Sequence, residues 1–342
     1  MAQNQVELFS EKGQIQAEID KSRNDLVTPK LRFLAFLPLI TIILDFCLHL
    51  FLPNKQLSGI NRSFDTVLVV AWVVYAILLL LSFKFKNIIN KLNHSAPLLL
   101  AITILVEIWD LVTLKFNLLP LPYFPGPDKV LGVFVIDWGL ILTSTVYSLR
   151  LLAVAYIIGV TIGLITGIAM GWNKTIYYWV MPVLKVIGPI PATAWIPIAM
   201  VAFPTSFWAS IFLIVLSVWF PVTVMTSSGI AGVQNSFFDV ARTLGADEKF
   251  LIFRVAIPAA FPSIFIGLFM GMCNSFLTLI VGEMLGVKAG LGWYINWAQG
   301  WAEYSKVYAA LIVIAFIFSS LLTLLFKFKD RVLSWQKGLI KW

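Results

Sequence analysis

Charge is scarce in this chain: 12% of its 342 residues are Asp, Glu, Lys or Arg, about half the share usual in a soluble domain. That excludes an ordinary water-soluble globule. Histidine occurs only at His49 and His94, so histidine-based catalysis has little to work with. The two cysteines, Cys47 and Cys273, each fall within an apolar run, so no disulfide framework exists and both read as small buried hydrophobes. The dipeptide Gly-Lys never occurs, so the phosphate-cradling loop of nucleotide hydrolases is missing. Neither HExxH, GxSxG nor a Cys/His cluster of metal spacing is found. No catalytic residue, metal ligand or cofactor site is therefore expected in this chain. There is no strong internal repeat, which counts against secondary-transporter folds built from inverted halves.

What is abundant is apolar sequence, 60% hydrophobic residues with a mean hydropathy of +0.90. Several runs approach the roughly 20 residues needed to cross a hydrocarbon core. The expected class is an all-α polytopic membrane protein with about eight spans, near 32–52, 65–83, 97–116, 149–171, 183–203, 207–226, 259–281 and 307–326. The first run follows some 30 polar residues without a small-x-small cleavage site and reads as a retained span. Residues 1–30 suggest a weakly amphipathic surface helix or a disordered segment. A basic connector runs from Lys84 to His94, and a stretch with Pro120, Pro122, Pro125 and Pro127 reads as extended or turn backbone. Orientation follows the positive charge. With the loop after the sixth span in the cytoplasm, cytoplasmic segments hold 18 Lys and Arg and external loops hold 7. The reverse topology inverts that bias, so both termini are expected to be cytoplasmic. The net charge of +8 then orients the chain in its bilayer, and no nucleic-acid partner is expected.

Polar residues inside spans are functional candidates, because desolvating them costs several kcal/mol unless they are paired. Asp45 and His49 stand at i, i+4, suited to a mutual hydrogen bond or a ligand site. Glu107 and Asp110, Asn274 with Ser275, and Glu283 at a span end are as suited to helix-to-helix hydrogen bonding as to substrate contact. Gly159, Gly163 and Gly167 form a small-residue stripe that lets another helix approach closely. In residues 183–200, Pro189, Pro191 and Pro197 each delete a helical hydrogen bond. Lipid cannot satisfy the freed carbonyls, so this backbone must face protein or a water-filled cavity. A kinked packing helix is the plainer alternative. The candidate pathway lining is Pro189, Pro191, Trp195, Pro197, Asn274, Ser275 and Glu283.

The long polar interruption at 237–262 carries a pattern. Phe238, Ala241, Leu244 and Gly245 give one helical face, Gly245 permits a tight turn, and a second short helix is expected near Asp247–Val255, closed by Pro258. The order Asp239-Val240-Ala241, three residues, Gly245, then Val255-Ala256-Ile257-Pro258 resembles the coupling loop of importer-type ABC permeases. There the pattern is Glu-Ala-Ala, Gly and Ile-x-Leu-Pro, so Asp and Val are conservative departures. Pro189 through Pro197, Val240-Ala241-Arg242 with Gly245-Ala246, Glu283-Met284-Leu285-Gly286 with Gly290-Leu291-Gly292, and Ser148-Leu149-Arg150 are similar to the nitrate, sulfonate, taurine and bicarbonate branch. Trp109-Asp110 stands where that branch has Trp-Glu. The resemblance covers roughly residues 97–336. It implies a core at 95–330 with a coupling loop at 235–258, two additional spans at 31–94, a polar terminus at 1–30 and a basic tail at 331–342. It also implies two cytoplasmic ATPase subunits that bind ATP and Mg, a second permease copy, an extracytoplasmic binding protein and an inner-membrane location. Asp239, Ala241, Arg242, Gly245 and Ala246 would contact the ATPase. The substrate would be a small metabolite, with oxyanions and sulfonates among the candidates and neutral or cationic metabolites also served by the branch. The competing classes are a secondary transporter or channel not driven by ATP, and an integral-membrane enzyme.

Overall fold

Apolar runs fold as helices throughout the computed structural model, which describes residues 35–56, 62–284 and 286–333. The polar segment 1–30 and most of the basic tail lie outside the described residues. Two compact units divide at Val135 and Ile136.

The first unit holds α1 (Ala35–Phe51), α2 (Ser63–Lys84), α3 (Lys86–Asp110) and α4 (Pro127–Ile136). The segment expected as a basic connector is helical except at Phe85, whose extended backbone (φ −122°, ψ 106°) separates α2 from α3. Asn90, Lys91, Asn93 and His94 simply lie in the first turns of α3, since charge marks an exit from lipid and not an end of helix. A wide π turn, Leu111–Lys115, prolongs α3. Tyr75 donates to the Ala35 carbonyl at 2.8 Å and Thr41 pairs with Thr103 at 2.9 Å. These bonds tie the three long helices together at levels where lipid offers no partner. Trp109 Nε1 holds the Pro125 carbonyl at 3.1 Å, and Gln56 bonds the Phe124 carbonyl and the Gly126 amide. The proline-rich stretch is thereby pinned down.

The second unit runs through α5 (Trp138–Trp172), α6 (Lys174–Ile187), a 3₁₀ turn (Ala192–Trp195), α7 (Ile196–Ala202), α8 (Ser206–Ala231) and α9 (Asn235–Thr243). It ends in α10 (Glu248–Met284), α11 (Leu291–Gly300) and α12 (Tyr304–Val332). Among the described residues six helices (α2, α3, α5, α8, α10 and α12) are long and apolar enough to cross a bilayer; α6 and the 3₁₀–α7 segment form a further apolar pair bent by 86°. The prolines at 189 and 191 sit in that break.

The glycine stripe works as its spacing implies and extends one step further. A Cβ at Gly159, Gly163, Gly167 or Gly171 would lie 2.8, 2.8, 2.6 or 2.8 Å from Val218, Val222, Thr226 or Ile230 on α8. Two four-residue rows thus mesh, one of glycines and one of branched side chains, and α8 in turn packs on α10 through Ile214, Val218, Ile264 and Leu268. Here α8 is the central helix of the unit, buried on both sides.

One expected element is absent. The short helix near Asp247–Val255 does not stop at Pro258; it continues as α10 to Met284. A π turn over Leu251–Ala256, in which the Ile257 amide reaches back to Ile252 O, widens the backbone ahead of Pro258. Such a turn moves the carbonyl that the proline ring would strike, so the helix absorbs the proline without breaking.

Candidate functional site

The loop 232–247 projects from the second unit as helix, glycine turn, helix. Gly245 adopts φ +86°, a conformation that costs an L-residue roughly 1–2 kcal/mol. Its Cβ position meets nothing within 4 Å, so backbone conformation and not space demands glycine there. On the far side of the turn Asp247 accepts from the Phe250 amide at 2.9 Å and starts α10. Phe238 turns inward and meets Trp172 at the end of α5, edge to face at 5.7 Å. The opposite face of α9 is bare: Phe237, Val240 and, at the helix end, Leu244 are 53%, 61% and 83% exposed, so Leu244 does not share the inward face with Phe238 and Ala241 as its spacing suggested; Phe250 and Phe253 are exposed in the first turns of α10. Arg242 reaches Asp239 and Glu248 only at 3.9 and 4.0 Å, distances at which exposed pairs contribute little. Of the five residues singled out from the sequence, Asp239, Arg242 and Gly245 are exposed, while Ala241 and Ala246 are half-buried on the inner side. Large apolar groups held out in a polar loop mark a protein or membrane interaction surface.

A cavity of about 230 Å³ lies where the break between α6 and α7 faces α8 and α10. Pro191 and Asn274 line it together with Thr193, Ser217, Phe220 and Thr278. Gly188 is required beside it, because a Cβ there would run into the Phe220 ring. Pro189 and Pro197 are exposed nearby in the chain, and Trp195 packs with Ala199, Ala209 and Leu213. Ser275 is fully buried and donates to the Met272 carbonyl of its own helix at 2.7 Å, so it does not reach the cavity. Thr193, Ser217, Phe220 and Thr278 were not singled out from the sequence. Thr278 follows Asn274 by one turn, a spacing that could have identified it.

Glu283 also lies away from the cavity. It is 1% exposed, and its Oε2 accepts from Ser148 Oγ at 2.8 Å and from the Gly292 amide at 2.9 Å, while Leu291 N donates to Ser148 Oγ at 2.8 Å. A Cβ on Gly290 (φ +133°) would collide with the carboxylate, and one on Gly292 with Ile280 O. Glu283, Ser148 and the Gly290-Leu291-Gly292 turn are therefore one buried knot joining α5, α10 and α11. Leu285 lies outside the described residues.

In the first unit His49 does not pair with Asp45. Its Nδ1 faces Asp110 at 3.0 Å and its Nε2 faces Asp65 at 3.4 Å. Lys115 bonds the His49 and Leu52 carbonyls and Asn54 Oδ1, satisfying the last carbonyls of α1. Asp128, in α4, accepts from Phe64 N at 3.1 Å at the start of α2, and burial raises its carboxyl above the usual range. No group of His, Cys, Asp and Glu suited to hold a metal is found among the described residues.

Residues 159–334 match the family described as binding-protein-dependent transport system inner membrane component. A putative ABC transporter permease protein of Methanocaldococcus jannaschii is 28% identical over 51% of this chain and 68% of its own length. The nitrate import permease protein NrtB of Leptolyngbya laminosa is 27% identical over 50% of this chain, which spans 63% of that relative. Among solved structures, a crystallised amino acid ABC transporter with histidines shares the fold at a TM-score of 0.50, with 20% identity over 58% of this chain and 96% of that one. The match extends over half of the chain, and six described helices can cross a bilayer. This protein therefore belongs to the family of binding-protein-dependent transport system inner-membrane components, the permeases of ABC importers.

Proposed function

We propose that this permease is driven by ATP through the loop 235–258, the loops of two permease copies being gripped and moved by two separate cytoplasmic ATPase subunits. The observation that carries the reading is the bare apolar face of α9 beside a glycine turn of fixed geometry. Phe237, Val240 and Leu244 offer a docking surface, and Phe238 on Trp172 ties that surface to α5. On one side the loop continues into α8 and on the other into α10. These helices carry Ser217, Phe220, Asn274 and Thr278 of the cavity. From Asp247 to Asn274 a helix advances about 40 Å at 1.5 Å per residue, so a push on the loop reaches the cavity along rigid rods. ATP binding then biases one of two access states, inward or outward, by its differential affinity for them.

In this reading eight segments cross the inner membrane, α1 and the bent α6–α7 pair among them, and both termini are cytoplasmic. The core begins near residue 95, and α1 and α2 are additions to it. Two copies enclose the pathway, and an external binding protein delivers a small metabolite. ATP and Mg are bound by the partner chains. The test is substrate uptake by cells carrying Gly245→Arg or Gly245→Asn. Asn tolerates positive φ and should keep most of the uptake; Arg should abolish it while the protein still inserts at normal abundance. Normal uptake by the Arg variant, or flux in liposomes driven by an ion gradient with no ATPase present, would overturn the proposal.

A further inference from the structure

The chemistry of the cavity at the α6–α7 break narrows what passes through it, an inference that rests on reading this cavity as part of the pathway. None of the described residues of this chain that line it is ionisable. Lys185, one turn before Gly188, does not line it either. Ser217 Oγ spends its proton on Ile214 O at 2.8 Å and Thr278 Oγ1 on Asn274 O at 3.0 Å, so both hydroxyls turn lone pairs outward. Asn274 is exposed within a 37-residue apolar helix. A bare amide there would cost about 2–7 kcal/mol against hydrocarbon, so it meets water, a ligand or the second copy, to which it offers one acceptor and two donors. Phe220 supplies an aromatic wall. At about 230 Å³ the space is smaller than the roughly 300–1,000 Å³ of drug-sized pockets and suits a single ring. This chain supplies the cavity with no countercharge for an anion, and an unpaired charge pays far more for leaving water than a neutral polar group does.

We infer that the cavity takes a small uncharged molecule with adjacent hydrogen-bond donor and acceptor groups, of the amide or amino-heteroaromatic kind, read by Asn274 with Ser217 and Thr278. The test uses the purified transporter, with the subunits that copurify, in lipid nanodiscs, and follows its thermal transition with cytosine, nitrate or taurine at millimolar concentration. Cytosine should raise the transition, and Asn274→Leu and Thr278→Val should each weaken its apparent affinity tenfold or more while inserting normally. A rise with nitrate or taurine that these variants abolish, or no rise with cytosine, would overturn the inference. Because binding is read without turnover, the Gly245→Arg protein should bind as the unaltered one does, which separates failure of this inference from failure of the coupling proposal.

Discussion

Gly139 and Gly167 lie on the same helix, α5, yet the same substitution should push stability in opposite directions. A Cβ added at Gly139 meets nothing within 4 Å. There alanine relieves only the backbone-entropy cost of glycine, a gain of about 0.5 kcal/mol or more. A Cβ at Gly167 would stand 2.6 Å from Thr226 Cβ and 2.8 Å from Thr223 O, where ordinary contact begins near 3.4 Å. Helices α5 and α8 would have to part by about 1 Å, an overpacking that costs about 1–3 kcal/mol. Parting them also stretches the hydrogen bonds between Thr166 and Thr223 (2.8 Å) and from Trp219 to Thr166 (3.1 Å). Gly139→Ala should therefore be as stable as the unaltered chain or slightly more so, and Gly167→Ala less stable than Gly139→Ala by about 1–3 kcal/mol. Equilibrium unfolding in mixed micelles with increasing SDS measures both. Equal midpoints for the two variants would refute the meshed-row account of the core.

Two further outcomes follow from buried polar groups. Glu283→Ala strips a partner from both Ser148 and Gly292 and should cost about 1–3 kcal/mol for each orphaned donor. Glu283→Gln keeps an acceptor in place and should lose far less, since no cation pairs with the carboxylate among the described residues; the same SDS titration reads both. Lys115→Met frees the His49 and Leu52 carbonyls and Asn54 and should lower the midpoint by at least about 1 kcal/mol, while Lys55→Met, at an exposed site, should change it little.

The parts legible in the sequence are those whose cause is local. Helical spacing marked Gly159, Gly163 and Gly167 because their partners on α8 repeat with the same period, and Gly245 announced a turn that only positive φ explains. The π turn at 251–256 was not legible, because Pro258 looks like a helix end unless the wider backbone before it is known. Asp45 and His49 share a face of α1, yet His49 takes its carboxylates from Asp110 and Asp65, more than a dozen residues away in sequence. No local rule anticipates such pairs. Glu283 misled for a related reason: an acidic residue at a span end resembles a pathway group until the Gly290–Gly292 turn is seen folding onto it. Asn274 and Ser275 are adjacent, and helix geometry sends one toward the cavity and the other into the core.

The coupling surface is tested most directly at Leu244, 83% exposed on the bare face of α9. In a chain with Cys47 and Cys273 replaced by serine, Leu244→Cys should react with a membrane-impermeant maleimide only from the cytoplasmic side and should form a disulfide or bismaleimide cross-link to a separate ATP-hydrolysing chain. Labelling from outside the cell, or full labelling from the cytoplasm undiminished by a copurifying ATPase and without any cross-link, would contradict it.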